Sequence, residues 1–106
     1  MKDALRTAAQ HLLEGRLENC HALAQENEGP DGNYLHAVLH RKEGDLGNSL
    51  YWYHRAQNHP VAVAMQAKFP GWSPETLIEL VRAQPDSLEV RAQEAAELEA
   101  IKSHFA

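Results

Sequence analysis

Residues 37–48 read Ala37-Val38-Leu39-His40-Arg41-Lys42-Glu43-Gly44-Asp45-Leu46-Gly47-Asn48, and residues 8–19 read Ala8-Ala9-Gln10-His11-Leu12-Leu13-Glu14-Gly15-Arg16-Leu17-Glu18-Asn19. Shifted by 29 positions, the two windows share six identities: Ala8 with Ala37, His11 with His40, Glu14 with Glu43, Gly15 with Gly44, Leu17 with Leu46 and Asn19 with Asn48. All six fall where one helical run gives way to the next. A period of this size marks stacked helical hairpins, in which each unit buries its apolar face only against its neighbour.

Outward from these windows, helix signals continue and no stretch alternates apolar and polar residues as a strand does. Ala4, Leu5, Ala8, Ala9, Leu12 and Leu13 share a face of a first helix over about 3–14, closed by Gly15. Leu17, Cys20, Leu23 and Ala24 define a second over about 17–27, ended by Gly29-Pro30. A third over about 32–43 ends at Gly44, and a fourth over about 46–58 stops before Pro60. Pro60 opens a short fifth helix that Pro70-Gly71 closes. Ser73-Pro74-Glu75 opens a sixth, ending before Pro85. Asp86 followed by Glu89 resembles a capping box for a seventh that runs to about His104, with Leu88, Ala92, Ala95, Leu98, Ile101 and Phe105 as its apolar stripe. The expectation is an all-α single domain over residues 1–106. It comprises one hairpin at about 3–28, another at about 31–59, and C-terminal helices at about 60–105 that close the array.

Residues 33–60 resemble one tetratricopeptide repeat. Ala37 stands at the small position needed for close helix packing, and Gly44-Asp45-Leu46 resembles the turn between its helices. Tyr53 and Ala56 match the aromatic and small positions of the second helix, and Pro60 matches the terminal proline. Ser49 stands in place of the expected alanine. The string from Leu39 through Tyr51-Trp52-Tyr53 to His59-Pro60 is also similar to a signature in small helical bacterial and fungal proteins that carries no activity to transfer. The resemblance implies a right-handed array of hairpins and a protein-interaction or adaptor module whose groove is lined by the first and third helices. A protein or peptide would then lie against the exposed face of residues 31–43. Exposed array ends imply a homo-oligomer, unless the acidic last helix caps them and leaves a monomer.

Composition narrows the function classes. The 106 residues are 43% hydrophobic and 24% charged, which suits a globular core, and the net charge is −5. Residues 33–60 carry Arg41, Lys42 and Arg55 against Glu43 and Asp45, too slight an excess for a nucleic-acid footprint. Residues 86–106 carry five acids against Arg91 and Lys102, so Glu89, Glu94, Glu97 and Glu99 are expected on a solvated helix face. No apolar run approaches the roughly 20 residues of a membrane span, and the start of the chain does not read as a signal peptide. A cytoplasmic location without membrane or nucleic-acid partners is the expectation. Cys20, the single cysteine, is expected to be a small buried filler.

Histidine is the unusual component, seven in 106 residues. His36 and His40 are one helical turn apart and Glu43 follows three residues later, so two imidazoles and a carboxylate share a helix face. Such a set can bind zinc or iron, because neutral imidazole nitrogen and carboxylate oxygen both donate to a cation. The competing expectation, without any cofactor, is that His40 packs as the aromatic does in a tetratricopeptide repeat, since His11 stands at the equivalent place. In Tyr51-Trp52-Tyr53-His54-Arg55, Tyr53 is expected in the core; Tyr51, Trp52 and Arg55 are the candidates for a partner or ligand surface, with burial against the next helix the favoured place for Trp52. Arg55 can stack on Trp52 or pair with Glu43 or Asp45. Gly44 and Asp45 read as a turn and a cap, and Asn19 and Asn48 as side chains bonding back to the preceding turn. No nucleophile elbow, phosphate-binding glycine loop or cysteine–histidine pattern is present, and catalysis is not expected.

Overall fold

The computed structural model describes residues 2–106 and is all-α. Seven helices follow one another: α1 Asp3–Leu13, α2 Leu17–Glu26, α3 Pro30–Lys42, α4 Leu46–His54, α5 Pro60–Lys68, α6 Pro74–Ala83 and α7 Leu88–His104. None is long and apolar enough to cross a membrane.

The 29-residue repeat has a local physical meaning. Gly15 adopts φ +81° and Gly44 φ +86°, the left-handed conformation that glycine enters without a Cβ clash. Each glycine N–H then reaches back to the helix, Gly15 to Leu12 O (3.1 Å) and Gly44 to Arg41 O (3.0 Å). The next N–H reaches one residue further, Arg16 to His11 O (2.8 Å) and Asp45 to His40 O (2.9 Å). These paired bonds satisfy the last carbonyls of α1 and α3 and turn the chain into α2 and α4. His11 and His40 therefore occupy the same place, three residues before the cap. Asp45 also accepts the Asn48 N–H at the start of α4.

α1 packs against α2, α2 against α3, and α3 against α4, and every helix contributes to one hydrophobic core. α3 is its axis. Every residue from Gly32 to Arg41 is buried. Gly32 lies where α3 passes the end of α2, and a Cβ there would come 2.1 Å from the Asn27 carbonyl oxygen. Ser49, at the position where alanine was expected, is fully buried and donates its hydroxyl to Ala37 O at 2.6 Å, which satisfies it. Cys20 is buried as expected, and burial pushes its thiol up to about 12.

α7 departs from the expectation. Leu88 is 82% exposed, Ala92 and Ala95 are exposed, and the buried positions are Val90, Glu97 and Ile101. Glu97, expected in solvent, is 0% exposed. One of its oxygens accepts from Arg41 Nη1 at 2.6 Å, and the other from the hydroxyls of Tyr34 and Tyr53 at 2.7 Å each. Arg41 Nη1 also donates to the Tyr53 hydroxyl, and Arg41 Nε to Glu94 at 3.2 Å. A stripe of apolar residues cannot reveal a carboxylate whose partners lie 44 to 63 residues away. The start of α7 also differs: Ser87, not Asp86, is the cap, and its hydroxyl accepts the Val90 N–H. At α6 the expected cap holds, with Ser73 and Thr76 bonded reciprocally.

This network ties α7 to α3 through side chains, α7 itself packs on α5, α1 and α6, and residues 32–41 of α3 are buried. The face of residues 31–43 expected to receive a partner is therefore inside the protein. Only Lys42 and Glu43 in that stretch are exposed, at the end of the helix.

Removing one member of a buried ion pair leaves the other desolvated and unpaired. Glu97→Ala should lower the unfolding free energy by about 3–5 kcal/mol in urea titrations. The double variant Arg41→Met/Glu97→Leu, which leaves neither charge unpaired, should lose less than the two single variants combined. A double loss equal to the sum of the two single losses would show that the pair does not hold α7 as described.

Candidate metal centre

Two clusters of histidines form in the folded chain, and their chemistry differs. The first joins α2, α3 and α4. His36 and His40, one turn apart on α3, have rings 5.7 Å apart, and His21 from α2 meets them edge-on at 4.9 and 5.5 Å. Taking one ligand atom from each, all three lie within 4.8 Å of one another. His36 is 4% and His40 8% exposed. Trp52 of α4 stacks on the His36 ring at 4.1 Å and 13°, walling the site on that side.

The nitrogens of this cluster are poorly satisfied. The Nδ1 atoms of both His36 and His40 are buried without a hydrogen-bond partner. In the equivalent place on the first hairpin, His11 Nδ1 accepts from Arg16 Nε at 2.8 Å. Asp45 stands where Arg16 would be, so His40 has no such donor. Its Nε2 lies 3.4 Å from the Asn48 amide nitrogen, and its Nδ1 lies 3.9 Å from a Glu43 carboxylate oxygen. An Asn48 N–H directed at Nε2 favours a lone pair there, which puts the proton on Nδ1, the nitrogen nearer Glu43. Burial, then the neighbouring His21 and His40, pull His36 down from 6.5 to about 4, and the Gly32 carbonyl one turn back acts weakly the other way. His36 thus keeps a free lone pair well below neutral pH.

The second cluster joins the start of α3, the start of α5 and the end of α7. Asp31 Oδ1 accepts from His59 Nε2 at 2.7 Å and from His104 Nε2 at 2.9 Å. Two imidazoles and a carboxylate is the composition of an iron site. Here, however, the second nitrogen of His59 is committed. His59 Nδ1 accepts the Val61 N–H at 3.1 Å and caps α5, so the proton sits on Nε2. That nitrogen could take a metal only by giving up the cap. The arrangement is a hydrogen-bonded clasp. Burial lowers the His59 pKa despite the opposing bond to Asp31. Burial alone would raise Asp31, but its bonds from His59 and His104 outweigh that and lower it.

Of the residues singled out in the sequence, the fold brings His36, His40 and Trp52 together. Glu43 is 3.9 Å behind His40 and outside the three-nitrogen group, so it is not a third ligand in this arrangement. Tyr51 is exposed, and Arg55 stacks over the Tyr51 and Trp52 rings at 5.8 and 5.5 Å rather than pairing with Glu43 or Asp45. Helical spacing could not supply His21, Asp31, His59 or His104, because their partners lie on other helices.

The sign of the pH effect follows from the shifts. A histidine whose pKa falls on folding stabilises the native state only while neutral, so its contribution is complete above 6.5 and is lost on acidification. For His36 the loss runs from about pH 6.5 to about 4. The lowered carboxylate of Asp31 loses its contribution only further down, below its ordinary 3.8. Urea unfolding followed across this range should show stability falling from pH 6.5 to 4, with a shallower slope in His36→Gln. An unchanged slope in that variant would mean His36 takes up its proton as easily folded as unfolded.

Comparison with protein-family models, curated proteins and solved structures finds no match.

Proposed function

We propose that this protein binds a divalent transition-metal ion, zinc foremost, through His21, His36 and His40. The observation that carries the proposal is the convergence of three imidazoles, two of them buried with an unpartnered nitrogen. An all-nitrogen set suits zinc, copper or nickel better than calcium or magnesium, which prefer oxygen. Zinc–nitrogen bonds of about 2.0–2.1 Å require the donors to sit about 3.3 Å apart, so the cluster must contract modestly. His21 is part-exposed on α2 and is the member free to move in. Glu43 takes a different role from that of ligand. Its carboxylate lies 3.9 Å from His40 Nδ1 and would close on that nitrogen to orient the ring, as outer carboxylates do behind metal-bound histidines.

The adaptor reading has less to support it. Its groove would be lined by α1 and α3; α7 packs on α1, and its Glu94 and Glu97 bond Arg41 of α3. A peptide could use that surface only after α7 left, which would leave Glu97 and Arg41 without their partners.

Thermal melting tests the metal reading. A ligand bound only by the folded state stabilises it by about 2.7 kcal/mol at a hundredfold excess over Kd. Zinc should raise the Tm of the EDTA-treated protein in a concentration-dependent way. His21→Ala and His36→Ala should each abolish the rise, and Glu43→Gln should weaken binding about 10- to 100-fold. The exposed His54 serves as the control, and His54→Ala should respond as wild type does. A rise that survives in His21→Ala/His36→Ala, or no rise with zinc, copper, nickel or cobalt, would overturn the proposal.

A further inference from the structure

The next question is what the metal ion would do there, and this rests on the metal reading above. A structural zinc site is closed by four protein donors, whereas a catalytic site presents three and leaves one position for water or substrate. Among the described residues, the cluster has three donors and no fourth. Cys20, the neighbour of His21 and the one thiol in the chain, is buried as a protonated filler and is not in the group.

Beside the donors is a cavity of about 400 Å³ lined by His21, His36 and His40 together with Asn33, Asn48 and Trp52. Asn33 is not available to a ligand through its amide nitrogen, which donates to Arg55 O at 3.2 Å. Asn48 is better placed. Its amide nitrogen points at His40 Nε2, the nitrogen the tautomer leaves for a metal, so metal binding displaces this contact and frees the amide at the open position. Trp52 presents an apolar wall fixed by its stack on His36. The surrounding charges are negative: Glu28 on this cavity, and Glu18, Glu26 and Glu43 on an adjoining one of about 410 Å³ that shares His21 and His40. Such a rim attracts cations and disfavours anionic substrates.

We infer that the three-histidine centre is open, that it carries an exchangeable water, and that it hydrolyses small uncharged esters. Zinc lowers the pKa of a bound water to about 7, which supplies hydroxide at neutral pH. The hydroxide oxygen forms a bond to the ester carbonyl carbon, and the carbon–alkoxide bond breaks. The proton that the hydroxide carried passes to the departing alkoxide, which leaves as the alcohol. The carboxylate product dissociates, a water replaces it on the metal, and that water loses its proton to solvent. The Asn48 amide N–H donates to the carbonyl oxygen as negative charge develops on it, and Trp52 holds the apolar part of the ester.

Two measurements on the intact protein separate this inference from its parent. The first is the visible spectrum of the cobalt(II)-loaded protein during titration with azide. An open position takes the azide and the absorption bands shift; a spectrum indifferent to azide means a closed centre and overturns the inference. The second is hydrolysis of 4-nitrophenyl acetate by the zinc-loaded protein. The expected result is a zinc-dependent rate that exceeds that of free zinc ion, rises with an apparent pKa near 7, and is slower for the anionic 4-nitrophenyl hemisuccinate. Asn48→Ala should keep its zinc affinity and lose about a hundredfold in kcat. An azide-responsive cobalt spectrum without a zinc-dependent rate overturns the hydrolytic step and leaves an open binding site. Failure to take up cobalt or zinc at all counts against the metal reading itself.

Discussion

The pairing of Arg41 with Glu97 is the constraint on which the rest of the structure depends. Both side chains are fully withdrawn from water, a costly step for any ion. The cost is offset because the charges meet at 2.6 Å and two tyrosine hydroxyls fill the remaining oxygen of Glu97. Burial works against the Arg41 charge, but Glu97 outweighs it and holds the guanidinium protonated. Burial, reinforced by Glu97, keeps Tyr34 a donor by raising its pKa far above the ordinary range. The network admits one register of α7 against α3 and α4. A slip of α7 by one turn would leave one acid and one base buried alone.

That register also orients the histidines. Successive residues in a helix are about 100° apart, so Tyr34 and Arg41, seven residues apart, share a face of α3. His36 and His40 fall roughly 200–240° round from it. With one face of α3 committed to the ion pair beneath α7, the opposite face must meet α2 and α4. This is where His21 and Trp52 wait. The two polar features of α3 are thus two sides of one decision, and burial of one fixes the neighbours of the other.

How much of this is legible in the sequence depends on how local each cause is. The glycine turns, the Ser73 cap and the buried Tyr53 follow from residues within a few positions of one another, and the chain displays them openly. The six identities at a shift of 29 have their reason in the turn itself, since Gly44 and Gly15 make the same pair of bonds. α7 departs from its expected apolar stripe for the opposite reason. Leu88, Ala92 and Ala95 form a plausible apolar face, but Glu97 and Val90 are drawn inside by partners on distant helices. The candidate site divides along the same line. His36 and His40 were visible as a pair because they share a helix, whereas His21 enters only once the packing of α2 on α3 is known. The resemblance to a tetratricopeptide repeat rests on local features too, and these say nothing about whether α7 covers the groove.

The two histidine clusters show that composition alone does not identify a metal site. Asp31, His59 and His104 have the more familiar ligand set and the shorter distances. Yet His59 spends one nitrogen on capping α5 and the other on Asp31, so neither lone pair is left over. His40 spends neither in a strong bond: a carboxylate at 3.9 Å faces one nitrogen and a neutral amide at 3.4 Å approaches the other. The difference originates in a single step of the repeat, where Asp45 replaces the arginine that satisfies His11. Restoring that donor should quiet the site. Asp45→Arg would place a guanidinium near His40 Nδ1, satisfy the ring as Arg16 does His11, and set a positive charge beside the incoming ion. It should weaken metal binding and remove the Asp45 cap of α4, while the α3–α4 turn, set by Gly44, stays in place.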